Sequence, residues 1–109
     1  MKTRVVITGM GAITPLGNTL EETWKNLLAG KSGVAEITDF STEGLSTTIG
    51  ARVRNFEPEN YIDKKTLRRM DPNEQYAIVA CQMAFDDAGL NTDDLDLDRC
   101  GVVIGSGIG

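Results

Sequence analysis

The sequence predicts an α/β fold for this 109-residue chain, from two apolar runs and the helical patterns between them. Residues 4–8 and 101–105 are short apolar segments beside glycines, typical of strands buried on both faces of a parallel sheet. Two stretches between them, beginning near residues 20 and 72, carry the cap signals of helices. The second helix has a face of small residues, which lets another backbone approach closely: Ala77, Ala80, Cys81, Ala84 and Ala88.

Cap residues set the expected helix boundaries. Thr19 and Glu22 have capping-box spacing and predict a helix over residues 20–29 that stops at Gly30. Asp63 predicts the start of a short helix over residues 64–70.

The longest predicted helix covers residues 72–88. Asp71 precedes Pro72 at the first helical position, Glu74 lies three residues after Asp71, and Gly89 marks the end.

From residue 31 to 62 the secondary-structure pattern is weaker, with apolar islands at 34–37 and 49–53. We predict an edge strand within residues 47–53.

Composition and charge exclude several classes of protein. Hydrophobic residues make up 40% of the chain and charged residues 25%, which is typical of a folded globular protein. Lys and Arg number 11 against 16 Asp and Glu, and this net charge of −5 argues against a general nucleic-acid binder. The chain has no apolar run of about 18 residues that would span a membrane. Its N-terminal apolar stretch is broken by Thr8, Gly9 and Gly11, so we expect a cytoplasmic location rather than secretion.

The glycine pair Gly9 and Gly11 has two interpretations. It follows a predicted strand, as in the opening of a dinucleotide-binding fingerprint. The third glycine of that fingerprint is replaced by Thr14, Pro15 follows, and the helix begins too late for the turn to direct it at a phosphate. A structural glycine turn is favoured, and a nucleotide-binding α/β module remains the outside alternative.

The acidic run containing Asp94, Asp96 and Asp98 imitates half of a calcium loop. The positions that require Gly and Glu hold Arg99 and Gly105, so we predict a solvated loop and no metal site.

The two cysteines, Cys81 and Cys100, lie near acidic residues in the sequence: Asp86, Asp87 and Asp98. A reactive thiolate needs an electropositive setting, so both are predicted to be small core or boundary residues. The chain has no histidine, which removes the commonest general base.

The one basic cluster contains Lys64, Lys65, Arg68 and Arg69. On a helix, residues four apart are neighbours, so these cations repel one another slightly and the helix gains nothing by holding them together. An anionic partner explains the arrangement, and the acidity of the rest of the chain favours a small acidic protein over nucleic acid. The alternative is a plain solvated face.

Three stretches carry a family resemblance: RVVITGMGAITPLGNTLEETW, KKTLRRMD followed by QYAIVA, and GVVIGSGIG. Together they resemble the N-terminus of bacterial β-ketoacyl-acyl carrier protein synthases, most nearly the type II condensing enzymes of fatty-acid elongation. The resemblance implies a thiolase-like fold layered α-β-α-β-α and a homodimer. Residues 1–109 would be the N-terminal segment of its first domain, an incomplete domain that is poorly folded alone. It implies no cofactor, no metal, no nucleic acid and no membrane.

The resemblance also implies a reaction. In this family an active-site cysteine holds an acyl chain as a thioester, two histidines assist decarboxylation of malonyl-acyl carrier protein, and the carbanion attacks the thioester. This decarboxylative Claisen condensation needs residues that match nothing in this chain. We therefore expect no catalytic residue here and no activity from the chain alone.

Two sets of residues match functional positions of the family. Lys64, Lys65, Arg68 and Arg69 match its patch for acyl- and malonyl-loaded acyl carrier protein. Gly107 and Ile108 match its acyl pocket, where Gly105, Gly107 and Gly109 would let the chain turn sharply. A type I enzyme, a polyketide ketosynthase and a chain-length-factor subunit are the alternatives within the family.

Overall fold

The computed structural model describes residues 1–108, which form two units. One unit is Ala12–Phe56, and the other joins Met1–Gly11 to the chain from Glu57 onward. The first contains helix α1 (Leu20–Leu28) and strands β1 (Val34–Glu36) and β2 (Ile49–Ala51). The second contains helices α2 (Lys64–Leu67) and α3 (Pro72–Asp87), with short 3₁₀ turns at Pro58–Asn60, Thr92–Asp94 and Leu97–Arg99.

Helix α1 begins and ends where the cap residues predict. The Thr19 side chain accepts a hydrogen bond from the Glu22 N–H at 3.1 Å, and the Glu22 carboxylate accepts one from the Asn18 N–H at 3.0 Å. At the other end, Gly30 has φ +67°, a left-handed conformation that glycine adopts without a Cβ penalty. The prediction of a helix over residues 20–29 is confirmed to within one residue.

The first unit also contains a small antiparallel sheet. Strand β2 pairs with β1, with Ala35 opposite Gly50. The edge strand predicted within residues 47–53 is confirmed for its central residues, Ile49–Ala51. Its partner β1 lies in the first apolar island, which was not predicted to be a strand.

The side chain of Asn18 connects two irregular segments of this unit. Its side-chain amide donates hydrogen bonds to the carbonyls of Arg54 and Asn55, each at 2.8 Å. Asn55 has φ +55°, a conformation that asparagine tolerates better than most residues. These two bonds link the chain before α1 to the chain after β2.

Helix α3 confirms the prediction for residues 72–88. The Asp71 N–H donates to the Glu74 carboxylate at 2.9 Å, and Gly89 follows the helix with φ +62°. The short helix predicted over residues 64–70 ends earlier, at Leu67. From Arg69 onward the N–H groups bond three residues back rather than four, Arg69 to Thr66 and Met70 to Leu67. Within residues 1–108 no helix has both the length and the apolar character needed to cross a bilayer.

The close backbone approach predicted for the small-residue face of α3 is confirmed, and the segment around Gly9 and Gly11, which the sequence did not identify as the partner, makes it. A Cβ on Gly9 would meet the carbonyl oxygen of Ala84 and would lie 2.6 Å from the Ala88 nitrogen. A Cβ on Gly11 would meet the Ala80 carbonyl oxygen and lie 2.8 Å from the Ala84 nitrogen. The two glycines therefore allow backbone-to-backbone packing that any side chain would block.

Two further features hold this unit together. The Asp87 carboxylate accepts a hydrogen bond from the Met10 N–H at 2.9 Å, which ties the glycine segment to the end of α3. Val79, on α3, is fully buried, and Ile62 is 8% exposed.

The two strands predicted at residues 4–8 and 101–105 do not form in the described chain. Both segments are exposed, with Val5 at 91% and Val103 at 97%. A strand exists only where its backbone exchanges hydrogen bonds with a neighbour, and neither segment pairs with another among residues 1–108. An apolar run alone was therefore insufficient to predict a strand.

The prediction that Cys81 and Cys100 are core or boundary residues is wrong for this structure, since both are exposed. They line one open groove of about 610 Å³ beside α3, together with Phe85 and Val102. This groove leaves the Cys81 side of α3 open, so its small side chain stays accessible. The Cys100 thiol donates to the Asp96 carbonyl at 3.3 Å.

Replacing Gly11 with alanine should destabilise the protein by about 1–3 kcal/mol, because the new methyl group would overlap the α3 backbone. Urea unfolding followed by circular dichroism measures the loss. Gly101→Ala is the matched control, since a Cβ there meets no atom within 4 Å. Equal midpoints for the two variants would contradict the close approach.

Candidate functional site

The basic cluster lies at α2 and the turn that follows it. Lys64 and Lys65 are the first two residues of α2, Arg68 caps its C-terminal end, and Arg69 follows. All four side chains are exposed. The Arg68 N–H reaches the Lys64 carbonyl at 3.4 Å, so these two residues lie one helical turn apart.

The positive charges of this cluster are not neutralised within the described chain. Among residues 1–108, none of the four cations forms an ion pair. Two neighbouring carboxylates accept hydrogen bonds from other groups instead. Asp63 accepts from Thr66, and Glu74 accepts from the Asp71 N–H. As far as the described residues show, the cluster therefore presents four cations without an ion pair to solvent, in a chain of net charge −5.

The helix that carries Lys64 and Lys65 is held at its start by Asp63. The Thr66 hydroxyl donates to one carboxylate oxygen of Asp63 at 2.6 Å, and the Thr66 N–H donates to the other at 3.0 Å. Hydrogen bonds to the charged form favour it, so the Thr66 hydroxyl, followed by the Thr66 N–H, lowers the pKa of Asp63.

The cluster also borders two grooves that sequence reasoning missed. Glu59, Lys64, Leu67 and Arg68 line one of about 260 Å³, hereafter the Leu67 groove. Arg69 lines a second groove, of about 510 Å³, whose other residues lie on or next to α3 or in the C-terminal segment: Met70, Asn73, Glu74, Ala77, Ile78 and Ile104.

A partial signal for the Leu67 groove exists in the sequence. Leu67 is the one apolar residue inside KKTLRR, which marks it as unusual in a charged run. Glu59 belongs to the separate turn Pro58–Asn60, and no spacing rule connects it to the cluster.

The residues predicted to line an acyl pocket lie at the end of the described chain. Ile108 is 96% exposed, and its carbonyl accepts a hydrogen bond from the Ser106 hydroxyl at 3.0 Å. The chain bends at Gly107, but Gly105 and Gly107 have neither a positive φ nor a crowded Cβ position, so nothing in this bend requires glycine. Gly109 lies outside the described residues, and the pocket role of Gly107 and Ile108 stays a prediction.

The structure also tests the two remaining motifs, the glycine pair and the acidic run. The space beside Gly9 and Gly11 is filled by α3, which supports their structural interpretation over a phosphate cradle. Asp94, Asp96 and Asp98 are all exposed, as expected for a solvated loop. Within the described 108 residues, no group of three or more acidic, histidine or cysteine side chains is arranged to hold a metal ion.

Acidification should loosen the start of α2 through Asp63. Because the pKa of this carboxyl is lowered on folding, its charged form stabilises the helix above its ordinary pKa of about 4, and the contribution is lost as the pH falls through the lowered pKa. Hydrogen–deuterium exchange, corrected for intrinsic pH dependence, should show faster opening of the amides of residues 64–69 in acid. In the control Asp63→Asn, an uncharged cap acts at every pH and the acid effect should shrink. Equal acid effects in the two proteins would contradict this role.

Comparison with known proteins connects these features to a family. The family model described as "Beta-ketoacyl synthase, N-terminal domain" matches residues 2–109. A 3-oxoacyl-[acyl-carrier-protein] synthase 2 of Staphylococcus aureus (strain N315) is 52% identical over 106 residues, which is 97% of this chain and 26% of the relative. The protein of the same name from Vibrio cholerae is 48% identical over 108 residues, again 26% of its length. The chain thus spans about a quarter of these curated relatives.

Solved structures give the same assignment. The ishigamide ketosynthase/chain length factor matches with a TM-score of 0.78 and 44% identity, over 87% of this chain and 24% of that chain. A type II PKS acyl-carrier protein in complex with its ketosynthase bound to the hexaketide matches with a TM-score of 0.65 and 30% identity, over 88% of this chain and 25% of that chain. Most of the chain therefore resembles about a quarter of each of these ketosynthase chains in structure, and the chain belongs to the β-ketoacyl synthase family.

Proposed function

We propose that this chain is the N-terminal segment of a 3-oxoacyl-[acyl-carrier-protein] synthase II, an acyltransferase of fatty-acid elongation. Within that enzyme it supplies the docking surface for acyl- and malonyl-loaded acyl carrier protein and part of the acyl pocket. The observation that carries the docking proposal is the set of four exposed cations with no ion pair among residues 1–108. Relatives named for this activity, 46–52% identical over nearly the whole chain, support the assignment.

Docking by this surface is electrostatic. Lys64, Lys65, Arg68 and Arg69 attract an acidic protein over several ångströms and orient it before contact. Exposed charges are screened by salt, so the association rate falls as ionic strength rises. The acidic remainder of the chain repels the same partner elsewhere and directs it to the cluster.

The chemistry of condensation belongs to other parts of the enzyme. The chain has no histidine, and neither Cys81 nor Cys100 matches the active-site cysteine of the family. In the full enzyme, a cysteine outside this chain takes the acyl group as a thioester. Loss of CO₂ from malonyl-acyl carrier protein then generates the carbanion, which attacks that thioester and lengthens the acyl chain by two carbons.

The proposal includes a larger architecture. In a complete thiolase-like fold layered α-β-α-β-α, segments 4–8 and 101–105 acquire strand partners and their apolar side chains become covered. These segments are now exposed, and covering them would remove a large apolar surface from water. The proposed enzyme is a cytoplasmic homodimer that uses no metal and no cofactor.

A polyketide ketosynthase or chain-length-factor subunit is the second candidate. It is favoured by the match to the ishigamide ketosynthase/chain length factor at 44% identity. A chain-length factor differs from both kinds of ketosynthase outside this chain, because it lacks the nucleophilic cysteine. Sequencing the parent reading frame beyond Gly109 separates them.

Reversing the charge of Lys65 and Arg69 together should raise KM for acyl-carrier substrates by about tenfold and leave kcat nearly unchanged. Steady-state kinetics of the full-length synthase carrying this chain provide the measurement. The double reversal of Lys25 and Lys31, which are exposed on and just after α1, is the matched control. Unchanged KM in the Lys65 and Arg69 variant would defeat the docking proposal.

Replacing Ile108 with phenylalanine should shift the full-length synthase towards shorter acyl primers. A larger side chain at the pocket wall removes space for the end of the acyl chain, and each buried methylene contributes about 0.8 kcal/mol. The readout is kcat/KM across a series of acyl-carrier primers of increasing length. An unaltered series would remove Ile108 from the pocket.

A further inference from the structure

The Leu67 groove is chemically mixed. Of its four lining residues, Lys64 and Arg68 are cations, Glu59 is an anion and Leu67 is apolar. Leu67 is half-buried, so part of its side chain remains in contact with water. Glu59, like the two cations, forms no ion pair within the described chain.

This mixture selects among possible occupants. A uniformly anionic ligand such as a nucleic-acid backbone would bring negative charge against Glu59 and leave Leu67 without an apolar contact. An acidic amphipathic helix fits better, because residues three or four positions apart share one face and can present carboxylates beside an aliphatic side chain. Its carboxylates pair with Lys64 and Arg68, and its aliphatic group covers Leu67.

We propose that Leu67 is an apolar anchor for the acidic carrier protein, and that Glu59 limits how that protein is oriented on the cluster. A helix of the carrier protein places an aliphatic side chain in the Leu67 groove, between the charges of Lys64 and Arg68. The inference rests on the proposed docking function and adds a contact that charge alone does not supply. Arg69, which lines the other groove, is not part of this anchor.

The anchor and the cations contribute to binding in distinguishable ways. Exposed charge pairs are screened by salt, whereas burial of apolar surface is nearly independent of salt at moderate concentrations. Removing charge therefore weakens binding and also reduces its salt dependence. Removing the apolar contact weakens binding and leaves the salt dependence unchanged.

The test measures the Kd of holo-acyl carrier protein for the full-length synthase carrying this chain, by isothermal titration calorimetry at several NaCl concentrations. Leu67→Ala should weaken binding roughly fivefold at every salt concentration, with the wild-type slope. Leu67→Met conserves volume and apolar character and should restore most of the affinity. The double variant Lys64→Gln, Arg68→Gln should weaken binding most at low salt and flatten the slope.

Because Leu67 is half-buried, circular dichroism and the thermal midpoint of each variant accompany the titrations. Leu67→Gln retains a long side chain and loses the apolar contact, so it should behave as Leu67→Ala does. Wild-type affinity in Leu67→Ala and Leu67→Gln, with weakened binding in the charge variant, would overturn the anchor and leave docking intact. Wild-type affinity in all of these variants would overturn both the anchor and the docking function.

Discussion

The close approach of the glycine segment to α3 is the constraint on which the described site depends. Gly9 and Gly11 bring one backbone against another, and the Asp87 carboxylate fixes the segment through the Met10 N–H. This contact holds α3, the longest helix among residues 1–108. Both α2 and α3 contact the turn Pro58–Asn60, and only two residues separate Arg69 from the start of α3. The basic cluster and Glu59 are therefore positioned by the same packing.

The proposed enzyme separates recognition from chemistry along its sequence. Recognition by surface cations requires exposure and unpaired charge, and α2 and its flanks provide both within the described residues. Carbanion chemistry requires a nucleophile, a proton donor and exclusion of water. The described segment is largely open: only Ile62 and Val79 are buried apolar residues within it. A docking surface tolerates such openness, and an active site for condensation does not.

Local signals predicted local structure well and non-local structure poorly. The caps at Thr19 and Asp71 and the stops at Gly30 and Gly89 defined two helices, because every partner lies within a few residues. The small-residue face of α3 correctly indicated a close backbone contact. Strands at residues 4–8 and 101–105 were predicted wrongly because pairing depends on distant chain, and exposed Cys81 was misjudged because a helix pattern does not reveal what covers a face. The four cations were identified because they lie close together in the sequence. Glu59 lies beside two of them only in the folded structure, where it lines the same groove as Lys64 and Arg68.

Chemical labelling of lysines offers the most direct test that this chain serves as a docking surface. Amine acetylation of the full-length synthase is quantified by mass spectrometry with and without acyl carrier protein, and exposed Lys25 and Lys31 act as internal references. Docking at the basic cluster predicts that carrier protein slows labelling of Lys64 and Lys65 and leaves the references unchanged. Equal labelling of Lys64 and Lys65 in the presence of saturating carrier protein would contradict it.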